Sequence, residues 1–216
     1  MAFKFAARTL LELGKELIST DEVALYELIK NSIDAKSEVV VIEFNICLLH
    51  AHFEEAIEGL QKNKPLDAIR ASLKSQLLPD SATEIRSAFI SALDAAKDRA
   101  SFKKALGSAY ASSNWIEVRD KGVGMSLDDL NEVYLTVGTR SKRKENLKGA
   151  NNLGDKGVGR LSAMRLGECV SVITSRRGEL RQNILDIDWT LFGHEVEGEV
   201  GDIPIDPRIG ALKESA

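Results

Sequence analysis

The spacing of apolar residues divides the chain into stretches of helical and of strand period. Residues 3–17 put Phe5, Leu10, Leu13 and Leu17 loosely on one side of a helix or strap. Lys4, Arg8 and Glu12 interrupt it at helical spacing, so it reads as amphipathic and not as a signal peptide. Ser19-Thr-Asp-Glu22 has the form of a capping box, with the Ser19 hydroxyl on the Glu22 amide. The helix it opens continues through Ala24–Ala35 and stops near Lys36-Ser37. Val39 to Ile46 alternates with period two and predicts a strand, with Val40, Ile42, Phe44 and Ile46 on one face. Trp115-Ile-Glu-Val-Arg119 is the next strand and leads into Asp120.

Residues 47–113, between those strands, differ in character: alanine-rich, poor in β-branched residues, nearly balanced in charge. Pro65 opens a helix with Leu66, Ile69, Leu73 and Leu77 on one stripe. Ser81-Ala-Thr-Glu84 caps another, with Ile85, Ala88, Phe89, Ala92, Ala96 and Ala100 on its stripe and Gly107 at its end. A two- or three-helix insertion is expected. After Gly124, Ser126-Leu-Asp-Asp129 caps a helix that carries Leu130, Val133 and Tyr134 up to Gly138. Residues 139–153 read as a polar, basic loop. A short helix follows Gly159 and stops at Gly167. Residues 169–175 and 180–187 alternate around Arg-Arg-Gly-Glu, a β-hairpin pattern. Residues 191–216 show little periodicity and read as a linker or the start of a further region.

Composition narrows the picture in three respects. With 216 residues, the chain suffices for one large domain or a domain with an insertion. A net charge of −4 gives no global reason to expect nucleic-acid binding. Cys47 and Cys169 lie far apart with no CxxC, which argues against structural zinc and fits a reducing, cytoplasmic setting. No run of about 18 apolar residues is present, so no membrane span is expected.

Candidate chemistry gathers on three motifs. On the helix through Ala24–Ala35, Glu27, Asn31 and Asp34 fall within about 60° of one another, a line of carboxylate, amide and carboxylate. That line is either a solvated face or a site. An amide oxygen such as that of Asn31 suits a hard cation, and a carboxylate one turn earlier can take a proton from water. The second motif is Asp120-Lys-Gly122-Val-Gly124-Met125. Asp120 is either the head of an Asx turn or an acceptor for an exocyclic amine, such as that of adenine. In the third, Gly154-Asp-Lys156-Gly157-Val158-Gly159, three glycines in six positions precede a helix. Such a stretch is either a structural turn or an anion cradle suited to phosphates.

Together the three motifs, in order and spacing, resemble the GHKL ATPases: DNA gyrase B subunits, large heat-shock chaperones, MutL mismatch-repair proteins and sensor histidine kinases, with the MORC proteins nearby. The resemblance spans residues 3–46 and 114–190. It implies an α/β two-layer sandwich: a mixed, mainly antiparallel sheet with helices on one face, interrupted by the helical insertion. It implies ATP and Mg2+ as cofactors, with Glu27 activating water, Asn31 holding Mg2+ and Asp120 binding adenine. It places Asp34, Gly122, Gly124 and Met125 in the same nucleotide site. Thr174 matches the threonine that joins the aspartate at the adenine. Thr139 and Lys142 match the start of a mobile lid, and Gly154, Lys156, Gly157, Val158 and Gly159 its phosphate-wrapping glycine motif. Glu27 points to the hydrolytic MutL, chaperone and MORC-like branch, since sensor kinases usually lack it. His50, His52 and His194 lie outside any phosphate-receiving helix pattern. The implied cycle is ATP hydrolysis to ADP coupled to lid closure and homodimerisation; the alternatives are a nucleotide-gated interaction module or a phosphotransfer kinase. A protein partner on residues 47–113 fits an insertion. The basic run from Arg140 to Lys148 is either a solvated lid or a nucleic-acid contact.

Overall fold

The computed structural model describes residues 7–136, 159–193 and 203–212. The expectations for Thr139, Lys142, Gly154, Lys156, Gly157, Val158 and His194 fall outside these residues. The chain forms two compact units, Met1–Val41 with Val118–Ala216, and Ile42–Glu117.

In the first unit, α1 (Ala7–Leu17) is followed by α2 (Asp21–Asp34). The N-cap of α2 is Thr20, one residue later than the capping box predicted; its hydroxyl accepts from the Val23 N–H at 3.3 Å. Ser19 and Thr20 offer the same chemistry, and the backbone turn selects the second. Thr20 also bonds the Glu22 carboxylate, which holds that group below its ordinary range. The helix ends where Lys36 adopts φ +64. α2 packs on a 3-10 turn (Gly159–Ser162) and on α8 (Ala163–Leu166), against which α1 also lies. Its buried residues are Ala24 and Ser32, whereas Leu25, Leu28 and Ile29 are only half-buried. The packed face of α2 is therefore one of small residues.

β3 (Cys169–Thr174) pairs antiparallel with β4 (Arg181–Asp188) across a turn in which Gly178 has φ +92. β5 (Arg208–Leu212) pairs antiparallel with β4 on its other side. This last strand lies in the stretch expected to be a linker. It is short and exposed along most of its length, so it shows no two-sided alternation. Leu185, Ile187, Trp189, Phe192 and Leu130 form the buried cluster of this unit. The capping box at Ser126 and Asp129 is present, opening α7 (Leu127–Asp129), which continues as a π-helical turn (Leu130–Tyr134). Burial alone would raise the Asp129 carboxyl. The Ser126 amide and hydroxyl and the Arg176 guanidinium outweigh it and hold that carboxyl low.

β1 (Val40–Asn45) and β2 (Trp115–Asp120) form a two-stranded sheet separate from the three-stranded one. The fold class is α/β with antiparallel pairing, as expected, but among the described residues the strands lie in two sheets and not in one. On the expected apolar face of β1, Val40 and Ile42 are half-buried while Phe44 and Ile46 are exposed.

The second unit holds four helices, α3 (His50–Gln61), α4 (Leu66–Gln76), α5 (Thr83–Ala95) and α6 (Arg99–Ser113). α4 starts after Pro65 as predicted. The helix predicted from Ser81 to Gly107 is two. The apolar stripe from Ile85 runs on at helical spacing, but Asp98 and Ser101 form a reciprocal capping box that starts a new helix. Gly107 lies inside α6, not at a helix end. At the other predicted cap, Ala82 is the N-cap of α5 without a side-chain bond. Ser81 is buried and bonds Asn45 instead. The Arg70 guanidinium covers the carbonyls freed at the end of α5, donating to Leu93 O and Ala96 O at 3.1 Å each. Phe102, Leu106, Leu93 and Leu48 are fully buried at the centre of this unit.

Candidate functional site

Three segments far apart in sequence meet at the loop from Asp120 to Met125, all within the first unit. The Ser32 hydroxyl, on α2, donates to Asp120 Oδ2 at 3.0 Å. The Gly122 N–H donates to Asp120 Oδ1 at 2.8 Å, which is the Asx turn the spacing allowed. Each carboxylate oxygen has two lone-pair directions, so these two bonds leave room for a further donor. Asp120 is itself exposed. The turn is therefore compatible with ligand recognition: it aims the carboxylate and leaves acceptor capacity free.

The loop after Asp120 is fastened to the end of α2. Val123 N–H donates to Ala35 O at 2.8 Å, and Lys121 N–H to Ser37 Oγ at 2.8 Å. Gly122 sits so close that a Cβ would stand 2.6 Å from Ala35 O. Gly124 has φ +68, and a Cβ there would lie 2.0 Å from Ser175 O. Both glycines are required by close approach, the second by backbone conformation as well.

The third segment is the end of β3. The Met125 N–H donates to Thr174 Oγ1 at 3.0 Å, and Asn183 donates from Nδ2 to Met125 O at 3.0 Å. Thr174 and Asn183 face each other in register across β3 and β4, so one cross-strand pair holds both polar groups of Met125. Asn183 is 6% exposed and also bonds Glu179 Oε2 at 2.9 Å.

On α2, Glu27, Asn31 and Asp34 are all half-buried. Glu27 Oε1 accepts from Lys30 Nζ at 2.7 Å. Asn31 and Asp34 are each engaged in interactions of their own. Gly159 opens the 3-10 turn against which α2 packs. His50 and His52 lie on α3 in the other unit. Among the described residues, no group of three or more His, Cys, Asp and Glu side chains is placed to hold a metal. Nor is any described helix long and apolar enough to cross a membrane.

The sequence profile of the histidine kinase-, DNA gyrase B- and HSP90-like ATPases matches residues 102–209, half of the chain. The chain belongs to that family. Membership in this ATPase family implies ATP binding. The matched stretch contains Asp120, the glycine motif and Thr174, while α2 lies before it. No curated protein matches the chain.

Three residues of this ATPase domain escaped the sequence reading. Ser32 lies among apolar positions of its helix, and Asn183 in a strand whose pattern shows alternation alone. Lys30 lies between Glu27 and Asn31, where its spacing announces no chemistry. Ser32 offered a signal in hindsight, since a small hydroxyl between apolar neighbours on a packed helix face needs a partner.

Proposed function

We propose that the chain is a Mg2+-dependent ATPase of the hydrolytic branch that includes the MutL, chaperone and MORC proteins. The observation that supports this reading is the exposed Asp120 carboxylate, held by Ser32 and Gly122, at the head of a loop whose Met125 is bonded to Thr174. Asp120 would accept a hydrogen bond from the adenine amine, with Thr174 beside it. It would disfavour guanine, whose carbonyl offers no proton.

Asn31 fits as a Mg2+ ligand. Magnesium keeps several waters and takes one or two protein oxygens plus phosphate oxygens, and an amide oxygen is a hard donor of that kind. When bound, the ion would neutralise charge on the β- and γ-phosphates. Glu27 Oε2 would accept a proton from a water whose oxygen attacks the γ-phosphorus as the bond to ADP breaks. Thr139, Lys142, Gly154, Lys156, Gly157, Val158 and Gly159 would close over the phosphates as a lid. Closure would favour a homodimer. Residues 47–113 would be an insertion that offers a surface to a protein partner.

The test is Glu27→Ala. Phosphate release should fall by at least about 100-fold while ATP affinity is retained. Unchanged release would remove Glu27 from the chemistry. Tight ATP binding with no release by the wild type would leave a nucleotide-gated interaction module. Transfer of γ-label to a protein would mean a kinase.

A further inference from the structure

α2 carries one basic residue, Lys30, against four acidic ones. Its ammonium lies 2.7 Å from Glu27 Oε1, in an i,i+3 pair whose side chains are 17% and 24% exposed. This is more enclosed than the solvent-exposed pairs that contribute little to stability. The Lys30 ammonium also stands 5.6 Å from the centre of the Tyr26 ring, which confines it from another side. The pair engages one oxygen of the Glu27 carboxylate. Among the described residues, Oε2 makes no hydrogen bond.

A glutamate has three side-chain torsions, and a base that samples several rotamers is rarely aligned with its proton. We infer that Lys30 is a positioning residue for Glu27, holding Oε1 so that Oε2 presents to the attacking water. This rests on the hydrolytic reading above and gives the motif lysine a role of its own. Lys30 then acts through Glu27 and not on the nucleotide. Its removal should slow the chemical step and leave ATP binding alone.

The experiment is phosphate release and ATP affinity measured for the wild-type chain, Lys30→Met, Lys30→Arg, Glu27→Ala and the Glu27→Ala/Lys30→Met double variant. Methionine keeps most of the apolar stem and removes the charge. Lys30→Met should lower kcat about 10-fold with KM and ATP affinity unchanged. Arginine, which can donate to the same oxygen, should restore most of that loss. In the Glu27→Ala background, Lys30→Met should have no further effect.

Three results would overturn the inference. A raised KM at normal kcat would make Lys30 a phosphate ligand. A raised kcat would make it a brake on Glu27. A further loss on top of Glu27→Ala would mean that it acts independently. The two levels separate cleanly: if Glu27→Ala stalls and Lys30→Met is normal, Lys30 alone is dismissed. If Glu27→Ala turns over like the wild type, or the wild type does not turn over, the hydrolytic reading falls and Lys30 falls with it.

Discussion

The two units are held together by different means. The helical unit, Ile42–Glu117, buries Leu48, Leu73, Leu93, Phe102 and Leu106 to 1% exposure or less, around helices of 11 to 15 residues. The unit that carries the candidate site buries a smaller described cluster around Leu130, Leu185 and Phe192. Its organisation near Asp120 comes from hydrogen bonds between distant segments: Ser32 to Asp120, Val123 to Ala35, Met125 to Thr174 and Asn183. Apolar burial is non-directional and stabilises a fold without specifying where one oxygen points. Hydrogen bonds contribute modestly to stability but fix direction. A unit built the second way suits a ligand that must be recognised by the direction of its donors.

The comparison can be broken first where burial is deepest. Phe102→Ala should cost the helical unit about 3–5 kcal/mol, read by thermal or chemical unfolding. The hydrogen bonds around Asp120 contain no residue of that unit, so ATP affinity should survive under conditions where the variant is folded. A parallel loss of affinity would mean that the Asp120 site depends on the packing of the helical unit.

Gly124→Ala attacks the other half. The positive φ alone costs roughly 1–3 kcal/mol for a residue with a Cβ. The 2.0 Å approach to Ser175 O forces the loop to move as well. ATP affinity should fall by about 10-fold or more, with no matching loss in the helical unit. Normal affinity would show that this loop does not shape the site.

The smallest effect is on acid stability. Asp129 and Asp186 both have carboxyls held below their ordinary range. For Asp129, the Ser126 amide and hydroxyl and Arg176 outweigh burial; for Asp186, the Ser171 hydroxyl leads and Arg208 adds. A depressed folded-state value means a contribution that is present above the unfolded value near about 4 and lost as pH falls through the folded one. The acid-side loss of stability in this unit should therefore be shallower in Asp129→Asn than in the wild type. Identical slopes would remove Asp129 as a contributor.

The same division explains what could be read from the sequence. Periodicity located α1, α2, α4, α5, the start of α6, β1, β2 and the β3–β4 hairpin, because each of them shows the period of its own element. It failed where a cap and a stripe disagreed: the alanines from Ala88 to Ala100 keep helical spacing across a break made by Asp98 and Ser101. It also missed β5, whose pairing with β4 is a long-range event that five mostly exposed residues do not announce. At the site, the motif residues Asp120, Gly122, Gly124, Met125 and Thr174 do come together. Their supports, Ser32 and Asn183, could not be seen, because a supporting hydrogen bond depends on register and loop geometry more than on local pattern.

The most direct test of the Asp120 cradle is ATP binding by calorimetry to the wild-type chain and to Asp120→Asn. The amide keeps the size of the side chain and one acceptor but replaces the other with a donor, so the bonds from Ser32, Gly122 and adenine cannot all be kept. A hydrogen bond to a charged group is worth about 1.5–3 kcal/mol, so affinity should drop by at least about 10-fold. Equal affinity in the two proteins would contradict the assignment of Asp120 as the adenine acceptor.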